Sequence, residues 1–269
     1  MARIRTAEVN GRRTRWLEAG GADARRALVW LHAFPLSAEM WRPQLAAPPA
    51  GWRVIAPDLS GCGGSEDHDR RAHIDDFAAD LDGLAELLAL DRFVLGGLSM
   101  GGYAAFAYLR LRPERVEGLV LCDTRSAADT PQARAGREKM LRLLQDRGVH
   151  GVADEMLPRL LGKTSLDQRP ELEGRVRGLI LSNSSFGLAR AIARLRDRPD
   201  ATPQLAALQM PALVMVGEED AITPVDDARA MAAAIPGGTL VTVPKAGHLS
   251  NMENAEAFNG AVGPWLAGV

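Results

Sequence analysis

Three residues whose types can together perform nucleophilic catalysis each follow an apolar segment of the chain. Ser99, Asp220 and His248 stand in turn-forming sequence just after such segments. A serine hydroxyl is a weak nucleophile at neutral pH, so it needs a base within hydrogen-bond reach and an acid that orients the base. Continuous apolar segments predict buried parallel strands, and the carboxyl ends of such strands share one edge of a sheet. The three side chains are therefore expected to converge there, so that the serine oxygen can attack a carbonyl carbon.

The serine lies in the sequence Gly97-Leu98-Ser99-Met100-Gly101. The apolar strand Phe93–Gly97 precedes it and a helix-compatible segment, Met100–Arg112, follows, which predicts a strand, a sharp turn and a helix. Gly97 and Gly101 support this turn because side chains there would collide. The backbone N–H of Met100 is predicted to bind a developing oxyanion. A glycine-rich turn with an idle serine is the alternative interpretation of this segment alone.

The chain has five histidines, and His248 is the predicted base. It lies in a loop after the last predicted strand, at the same edge as Ser99. His32 ends the strand Ala27–Leu31 and is predicted to be structural, holding the loop in which the backbone N–H of Phe34 would be the second oxyanion donor. The remaining three, His68, His73 and His150, are expected to face solvent.

Asp220 is the predicted orienting acid, because it stands in a loop directly after a buried strand. Glu218 and Glu219 are its neighbours and are expected to be solvated. Asp123 follows the strand Val116–Cys122 at the same edge and is the alternative acid. The chain order is then serine, acid, histidine, which differs from the orders found in two unrelated folds that carry the same triad.

The elements that position these residues alternate between strand and helix, which indicates an α/β fold with a mostly parallel sheet. Asn10-Gly11 predicts a hairpin that opens this sheet. A short helix is predicted over Ser37–Ala47, with Ser37 as its N-cap. The alternation stops between 128 and 208, where only helical patterns occur, among them Pro131–Arg147 and Val152–Leu161. We therefore predict a core domain formed by 1–127 and 209–269, with an inserted helical cap at 128–208. Such an insert leaves from the ligand-binding edge, so its expected role is that of a lid.

Composition excludes several classes of function. The chain has 269 residues, of which 46% are hydrophobic, and a net charge of −2, so nothing favours binding to nucleic acid or to an anionic membrane. The arginine-rich segments, including 190–198, are interpreted as solvated faces. Cys62 and Cys122 have no metal-site spacing, and no metal ligand set is predicted. The first residues lack a long apolar segment, which predicts a cytoplasmic protein without a membrane span.

The motifs together resemble the α/β-hydrolase fold superfamily over essentially the full length of the chain. The resemblance is carried by the following segments of this sequence: His32-Ala33-Phe34-Pro35, Asp58-Leu59-Ser60-Gly61-Cys62-Gly63-Gly64-Ser65, Gly97-Leu98-Ser99-Met100-Gly101-Gly102, Gly217-Glu218-Glu219-Asp220 and Gly247-His248. It implies an eight-stranded sheet flanked by helices. Two departures are Ala33, where the family commonly has glycine, and Cys62, where it often has histidine or a bulky residue.

Within that superfamily the chain is most similar to small serine esterases, 3-oxoadipate enol-lactonases and cofactor-free haloperoxidases. The resemblance implies a serine hydrolase that cleaves a carboxylic ester or lactone and needs no cofactor. Its partner would be a small-molecule substrate, and the chain would be a monomer or homodimer. A haloperoxidase-type perhydrolase, with peroxide as the acyl acceptor, and a ligand-binding receptor with a weak triad are the alternatives.

Overall fold

A computed structural model describes residues 2–21 and 24–269. It confirms an α/β-hydrolase fold with an eight-stranded, mostly parallel sheet. The strands are β1 (Arg3–Val9), β2 (Arg12–Ala19), β3 (Arg26–Leu31), β4 (Trp52–Pro57), β5 (Phe93–Leu98), β6 (Val116–Cys122), β7 (Ala212–Gly217) and β8 (Thr239–Val243). Their order in the sheet is β1-β2-β4-β3-β5-β6-β7-β8.

Helices pack around this sheet and connect its strands. They are α1 (Arg42–Ala46), α2 (Asp75–Leu87), α3 (Met100–Leu111), α4 (Pro131–Leu160), α5 (Lys163–Gln168), α6 (Pro170–Leu181), α7 (Ser185–Arg196), α8 (Thr202–Leu205), α9 (Val225–Ala234), α10 (Ser250–Glu253) and α11 (Ala255–Ala267). In the described part of the chain, no helix has both the length and the apolar character needed to cross a bilayer.

The sheet begins with the hairpin that Asn10-Gly11 predicts. Both residues have positive φ, 52° and 74°, which is the backbone that a two-residue hairpin turn of this type needs. β1 pairs with β2 and β2 with β4 in antiparallel fashion, whereas all later pairs are parallel. The two antiparallel strands therefore form one edge, and the parallel strands form the part of the sheet from which the candidate site rises.

Apolar burial stabilises the parallel part of the sheet. Every residue of β5 and of β7 is buried, as expected for strands covered by helices on both faces. Trp30 of β3 stacks on Trp41 with ring centroids 4.4 Å apart, and Phe258 of α11 packs beside both rings. Such aromatic pairs add about 1 kcal/mol beyond their area burial.

The segment after β3 corrects one detail of the sequence prediction. A helix with a Ser37 cap was expected over 37–47, but the structure has a short 3-10 helix followed by α1, and the Ser37 side chain makes no capping bond. Asp58, from the loop after β4, accepts the Ala38 backbone N–H instead at 2.8 Å. A carboxylate from a distant loop thus replaces the local cap.

Helices α4 to α8 lie between β6 and β7 in the chain, and no strand occurs among these described residues. We call α4 to α8 the inserted helices. The two separate helices predicted across 131–161 are confirmed, since α4 consists of two helical segments that meet at Gly148, whose φ of 62° is not helical. Sharp breaks of this kind commonly fall at a glycine.

Several charged residues that were interpreted as solvated are instead buried, which corrects the sequence prediction. Arg194 of α7 is completely buried and donates to Asp67 at 2.5 Å and to Asp76 at 3.1 Å. Arg198 is also buried and binds Asp129 at 2.6 Å. His68 is only 6% exposed, and its Nε2 lies 3.0 Å from Asp80. By contrast, His73 and His150 are exposed, as expected.

Candidate active site

The sheet register brings the predicted site loops to one edge. Leu31 of β3 pairs with Gly97 of β5, so the loop that contains Phe34 and the turn that contains Ser99 leave the sheet side by side. Gly217 of β7 pairs with Val243 of β8, and the loops beyond these two residues carry Asp220 and His248. All four loops therefore start from the carboxyl ends of parallel strands, where ligands bind in open α/β sheets.

Ser99 occupies a sharp turn between β5 and α3. Its φ of 54° and ψ of −112° are rarely adopted by a residue with a side chain. The conformation is held by Ser99 N–H donating to Cys122 O at 2.9 Å and by the Thr124 hydroxyl donating to Ser99 O at 2.9 Å. Since the Ser99 side chain is not fully buried, the turn presents the hydroxyl at the edge of the sheet.

The glycines on either side of Ser99 permit this turn. A β-carbon at Gly97 would collide with the backbone of Gly101. A β-carbon at Gly101 would in turn collide with the backbone of Leu31 on β3. Neither position has room for a methyl group, so helix α3 can begin directly against the end of β3 only because both residues are glycine.

Two backbone N–H groups beside Ser99 remain available to a ligand. In the described part of the chain, neither Phe34 N–H nor Met100 N–H donates to a protein acceptor. Phe34 lies three residues after Leu31 and Met100 three residues after Gly97, which are paired positions on neighbouring strands. Met100 also begins α3, so its N–H stands at the positive end of the helix. The pair therefore has the character of an oxyanion hole.

His248 and Asp220 are joined directly. His248 Nδ1 lies 2.8 Å from Asp220 Oδ2, and both side chains are almost completely buried. The Asp220 carboxylate also accepts the backbone N–H groups of Ile222 at 2.8 Å and Thr223 at 3.0 Å. Burial alone would raise the pKa of Asp220, but His248 and the Thr223 donors hold that pKa below its ordinary value. Asp220 is thus a charged acceptor that fixes the His248 ring.

No hydrogen bond joins the Ser99 hydroxyl to His248 among the described residues. The imidazole Nδ1 lies 2.8 Å from Asp220 Oδ2 and 3.3 Å from the Thr223 hydroxyl. The nucleophile-to-base contact is often long in unliganded enzymes and tightens when substrate binds. The structure therefore brings the acid and the base together and places the serine on the neighbouring part of the same edge.

Asp123, the alternative acid, has other partners. Its carboxyl group accepts the Gly217 backbone N–H at 2.7 Å and contacts the Ser250 hydroxyl. It is completely buried, and burial together with the nearby Asp220 charge raises its pKa well above the ordinary range. A carboxyl group that makes no hydrogen bond to the imidazole is poorly placed to orient it, so the geometry favours Asp220.

His32 lies beside the site without facing the serine. Its Nδ1 lies 3.0 Å from Ala33 O, and its Nε2 accepts the Leu59 backbone N–H at 3.0 Å. Burial lowers the pKa of His32, which favours the neutral ring that these two contacts require. His32 therefore connects the Phe34 loop to the loop after β4.

Three residues near the site were missed or misjudged from the sequence. Glu219, expected to be solvated, is half-buried and binds Thr164 of the inserted helices. Glu253 accepts backbone N–H groups on both sides of His248. Asn183 donates to Pro35 O at 3.0 Å and accepts the Gly63 N–H at 2.8 Å, so it touches the Phe34 loop. No local sequence signal marks these roles, because each depends on a partner far along the chain.

The comparison with known families agrees with this architecture. The sequence model of the alpha/beta hydrolase fold matches residues 26–255 of the chain. The chain belongs to the α/β-hydrolase family. The match spans all four loops that carry the predicted site residues of this α/β-hydrolase.

Individual relatives cover nearly the whole chain. A thermophilic esterase from Thermogutta terrifontis superposes with a TM-score of 0.89 at 37% identity, covering 100% of this chain and 98% of its own. An AB hydrolase superfamily protein, YisY, of Bacillus subtilis is 31% identical over 88% of this chain and 90% of its own length. The 3-oxoadipate enol-lactonase 2 of Acinetobacter baylyi is 28% identical over 90% of this chain and 89% of its own length.

A cavity of about 420 Å³ adjoins the site of this α/β-hydrolase. Two of its lining residues border the predicted triad: Tyr103 N–H donates to Ser99 O at 3.2 Å, and Ile222 N–H donates to Asp220. Ser99 itself does not line the cavity. Its wall is partly apolar, with Met140, Leu143 and Met156. Charged side chains also line it, namely Arg125, Asp129, Arg137, Lys139, Glu155 and Arg159.

Proposed function

We propose that this protein is a serine hydrolase that cleaves a carboxylic ester or a lactone. The observation that carries the proposal is the buried pair of Asp220 and His248, on the same sheet edge as a strained Ser99 turn with two unpaired N–H groups beside it. Each part is expected of a hydrolase that works through an acyl-enzyme. The esterase and the enol-lactonase among the relatives support the same substrate class.

The reaction begins when His248 Nε2 takes the Ser99 proton and the serine oxygen attacks the carbonyl carbon. The backbone N–H groups of Phe34 and Met100 bind the oxygen that becomes negative, and each such donor contributes about 3 kcal/mol to transition-state stabilisation. Asp220 holds the imidazole in the required tautomer and stabilises the imidazolium. His248 then protonates the leaving oxygen, which yields the acyl-enzyme and an alcohol.

The second half of the reaction repeats these roles with water. His248 takes a proton from a water molecule, whose oxygen attacks the acyl carbon. The oxyanion forms again between Phe34 and Met100, and it collapses with protonation of Ser99 by His248. The products are a carboxylic acid and the regenerated enzyme. With a lactone the alcohol and the acid remain parts of one molecule.

The inserted helices act in this proposal as a lid that shapes the substrate pocket. The cavity lined mostly by α4 has the size of a small-molecule site, and its apolar part suits a short or medium acyl chain. Replacement of Met156 by tryptophan is expected to disfavour esters with longer acyl chains, because Met156 lies in that wall. The ratio of kcat/KM for butyrate and octanoate p-nitrophenyl esters measures this effect.

The proposal is tested with a chain-length series of p-nitrophenyl esters and a serine-directed phosphonate. We expect an initial burst of p-nitrophenol, stoichiometric loss of activity on phosphonylation, and modification of Ser99 in a peptide map. Ser99→Ala should lower kcat on the order of a millionfold with the fold intact, whereas Ser182→Ala, a change of an exposed serine just after α6, should not alter it. Full activity in Ser99→Ala would overturn the assignment. A requirement for hydrogen peroxide would indicate a perhydrolase instead.

A further inference from the structure

Two glutamates beside the proposed acid and base hold one turn of the inserted helices. Glu219 directly precedes Asp220, and Glu253 follows His248 by five residues. Both carboxylates accept hydrogen bonds from residues 162–164, the cap and first residues of α5, which we call the turn 162–164. The same turn therefore contacts both loops whose relative position sets the distance between Asp220 and His248.

Glu219 binds this turn through Thr164. Its Oε2 accepts the Thr164 backbone N–H at 2.8 Å, and its Oε1 accepts the Thr164 hydroxyl at 2.5 Å. The Glu219 backbone N–H donates to Ala246 O at 2.7 Å, in the loop that leads to His248. Hydrogen bonds to a charged carboxylate are about twice as strong as neutral ones. Glu219 thus links the acid loop, the histidine loop and the inserted helices.

Glu253 binds the histidine loop on both sides of His248. Its Oε1 accepts the backbone N–H groups of Gly247 at 2.9 Å and Leu249 at 3.1 Å, while its Oε2 accepts the Gly162 N–H at 2.7 Å. The residue is only 6% exposed. Burial raises the pKa of Glu253, although these donors act in the opposite direction. Removing one acceptor here would leave a buried N–H without a partner, which destabilises this arrangement of the loop.

The two backbones that Glu253 joins are in direct contact. A β-carbon at Gly247 would collide with the backbone of Gly162, and a β-carbon at Gly162 would lie 2.7 Å from Gly247 N. The turn of the inserted helices therefore lies directly against the residue that precedes His248. No free space lies between the two backbones, so a shift of this turn moves the histidine loop.

We propose that Glu219 and Glu253 are positioning residues, which use the seated turn 162–164 to fix the Asp220–His248 geometry. This inference rests on the proposed function, because it presupposes that the pair is catalytic. It assigns to the inserted helices a second role beyond covering the substrate: their correct seating completes the hydrogen bonds that align the base. Substrates that displace the turn are then hydrolysed slowly even when they bind.

The test compares Glu219→Gln and Glu253→Gln with two controls at exposed glutamates, Glu114→Gln and Glu256→Gln. Each amide keeps the shape of the carboxylate but turns one acceptor into a donor that faces an N–H or hydroxyl donor. We expect kcat to fall about 10- to 100-fold with little change in KM, since small misplacements of catalytic groups have effects of this size. The low-field proton resonance of His248 Nδ1–H should shift in both variants and in neither control.

Thr164→Val supplies a milder change if Glu253→Gln does not fold. It removes the hydroxyl donated to Glu219 and keeps the backbone N–H. Its effect on kcat and that of Glu219→Gln should be non-additive in the double variant, because both break the same link. Wild-type kcat and an unshifted resonance, with only a lower melting temperature, would overturn the proposal and leave a purely structural role.

The outcomes separate this proposal from the proposed function. If Ser99→Ala abolishes turnover while the glutamate variants keep wild-type kcat, only the positioning role fails. If Ser99→Ala remains active, the serine hydrolase assignment fails, whatever the glutamate variants do. A fall in kcat for both glutamate variants, with the resonance shifted and the controls unchanged, supports both statements.

Discussion

The parallel sheet and the inserted helices are stabilised by different interactions. The strands beneath the site are buried apolar segments, and β5 and β7 expose none of their residues. The inserted helices bind the rest of the molecule through buried charges, with Arg194 between Asp67 and Asp76 as the most enclosed example. Arg190 adds a second contact to Asp67 at 2.7 Å. The sheet is thus held mainly by the hydrophobic effect, whereas the seat of the insert adds buried ion pairs to apolar packing.

This difference distinguishes the sheet, whose edge carries the candidate site residues, from the inserted helices. Apolar burial is non-directional, whereas a buried charge is stable only with its partners in place. The position of the inserted helices is therefore set more sharply than apolar packing alone would set it. Changes at the sheet edge should alter chemistry, and changes at the buried charges should alter the seating of the insert.

The largest expected effect is at the sheet edge. Asp220→Asn removes the charge that fixes the His248 tautomer and should lower kcat about 10⁴-fold, as the equivalent change does in serine proteases. The Asp123→Asn variant is the control, since the Asp123 side chain does not contact the imidazole. Its kcat should remain near that of the wild type. Steady-state kinetics on one ester distinguish the two acids, and the opposite result would assign the role to Asp123.

The next effect concerns the seat of the insert. Arg194→Met leaves Asp67 and Asp76 buried without their cation and should lower the free energy of unfolding by about 3–5 kcal/mol. We expect hydrogen exchange to rise in α7 and in 67–76, while β5 keeps its protection. Arg71→Met is the control, because Arg71 is 87% exposed and its pair with Asp197 is 3.5 Å long. An equal rise in exchange across β5 would show that the seat and the sheet form one cooperative unit.

The smallest effect is a pH dependence of stability. Because the pKa of Asp123 is raised in the folded protein, the folded state binds a proton that the unfolded state releases above about pH 4. Stability should then fall as pH rises from the unfolded pKa toward the folded one, by up to about 1.4 kcal/mol per pH unit. Asp123→Asn should flatten this slope, since its amide can donate to Ser250 and accept from Gly217. Urea unfolding at several pH values between 4 and 8 measures it.

The sequence predicts the sheet well because its signals are local. Runs such as Phe93–Leu98 and Ala212–Gly217 are continuously apolar, and the glycines at 97 and 101 mark the turn that holds Ser99. The spacing of these segments also predicts that Asp220 and His248 reach the same edge. A hydrogen bond between these two side chains is expected once the order of elements brings both to that edge.

The partners of charged residues are not predictable in the same way. Arg194 and His68 lie in charged stretches, and a local pattern cannot distinguish a solvated residue from one that meets carboxylates across the fold. Glu219 is 55 residues away from Thr164 in the chain, and only the folded structure places them together. The sequence shows the kink at Gly148 only as a gap between two predicted helices, because a glycine in a helical pattern is compatible with several geometries.

The contact between Gly162 and Gly247 limits how this enzyme can be recombined with its relatives. A chimaera that exchanges the segment between β6 and β7 can vary its helices where they contact neither the core nor the Asp67 and Asp76 carboxylates. At one point, however, the donor segment must supply a residue without a side chain and two amide donors opposite the resident glutamates. A graft that lacks them would keep the host strands folded and still lose alignment of the imidazole, so crossover points on either side of 162–164 should be chosen to preserve that turn.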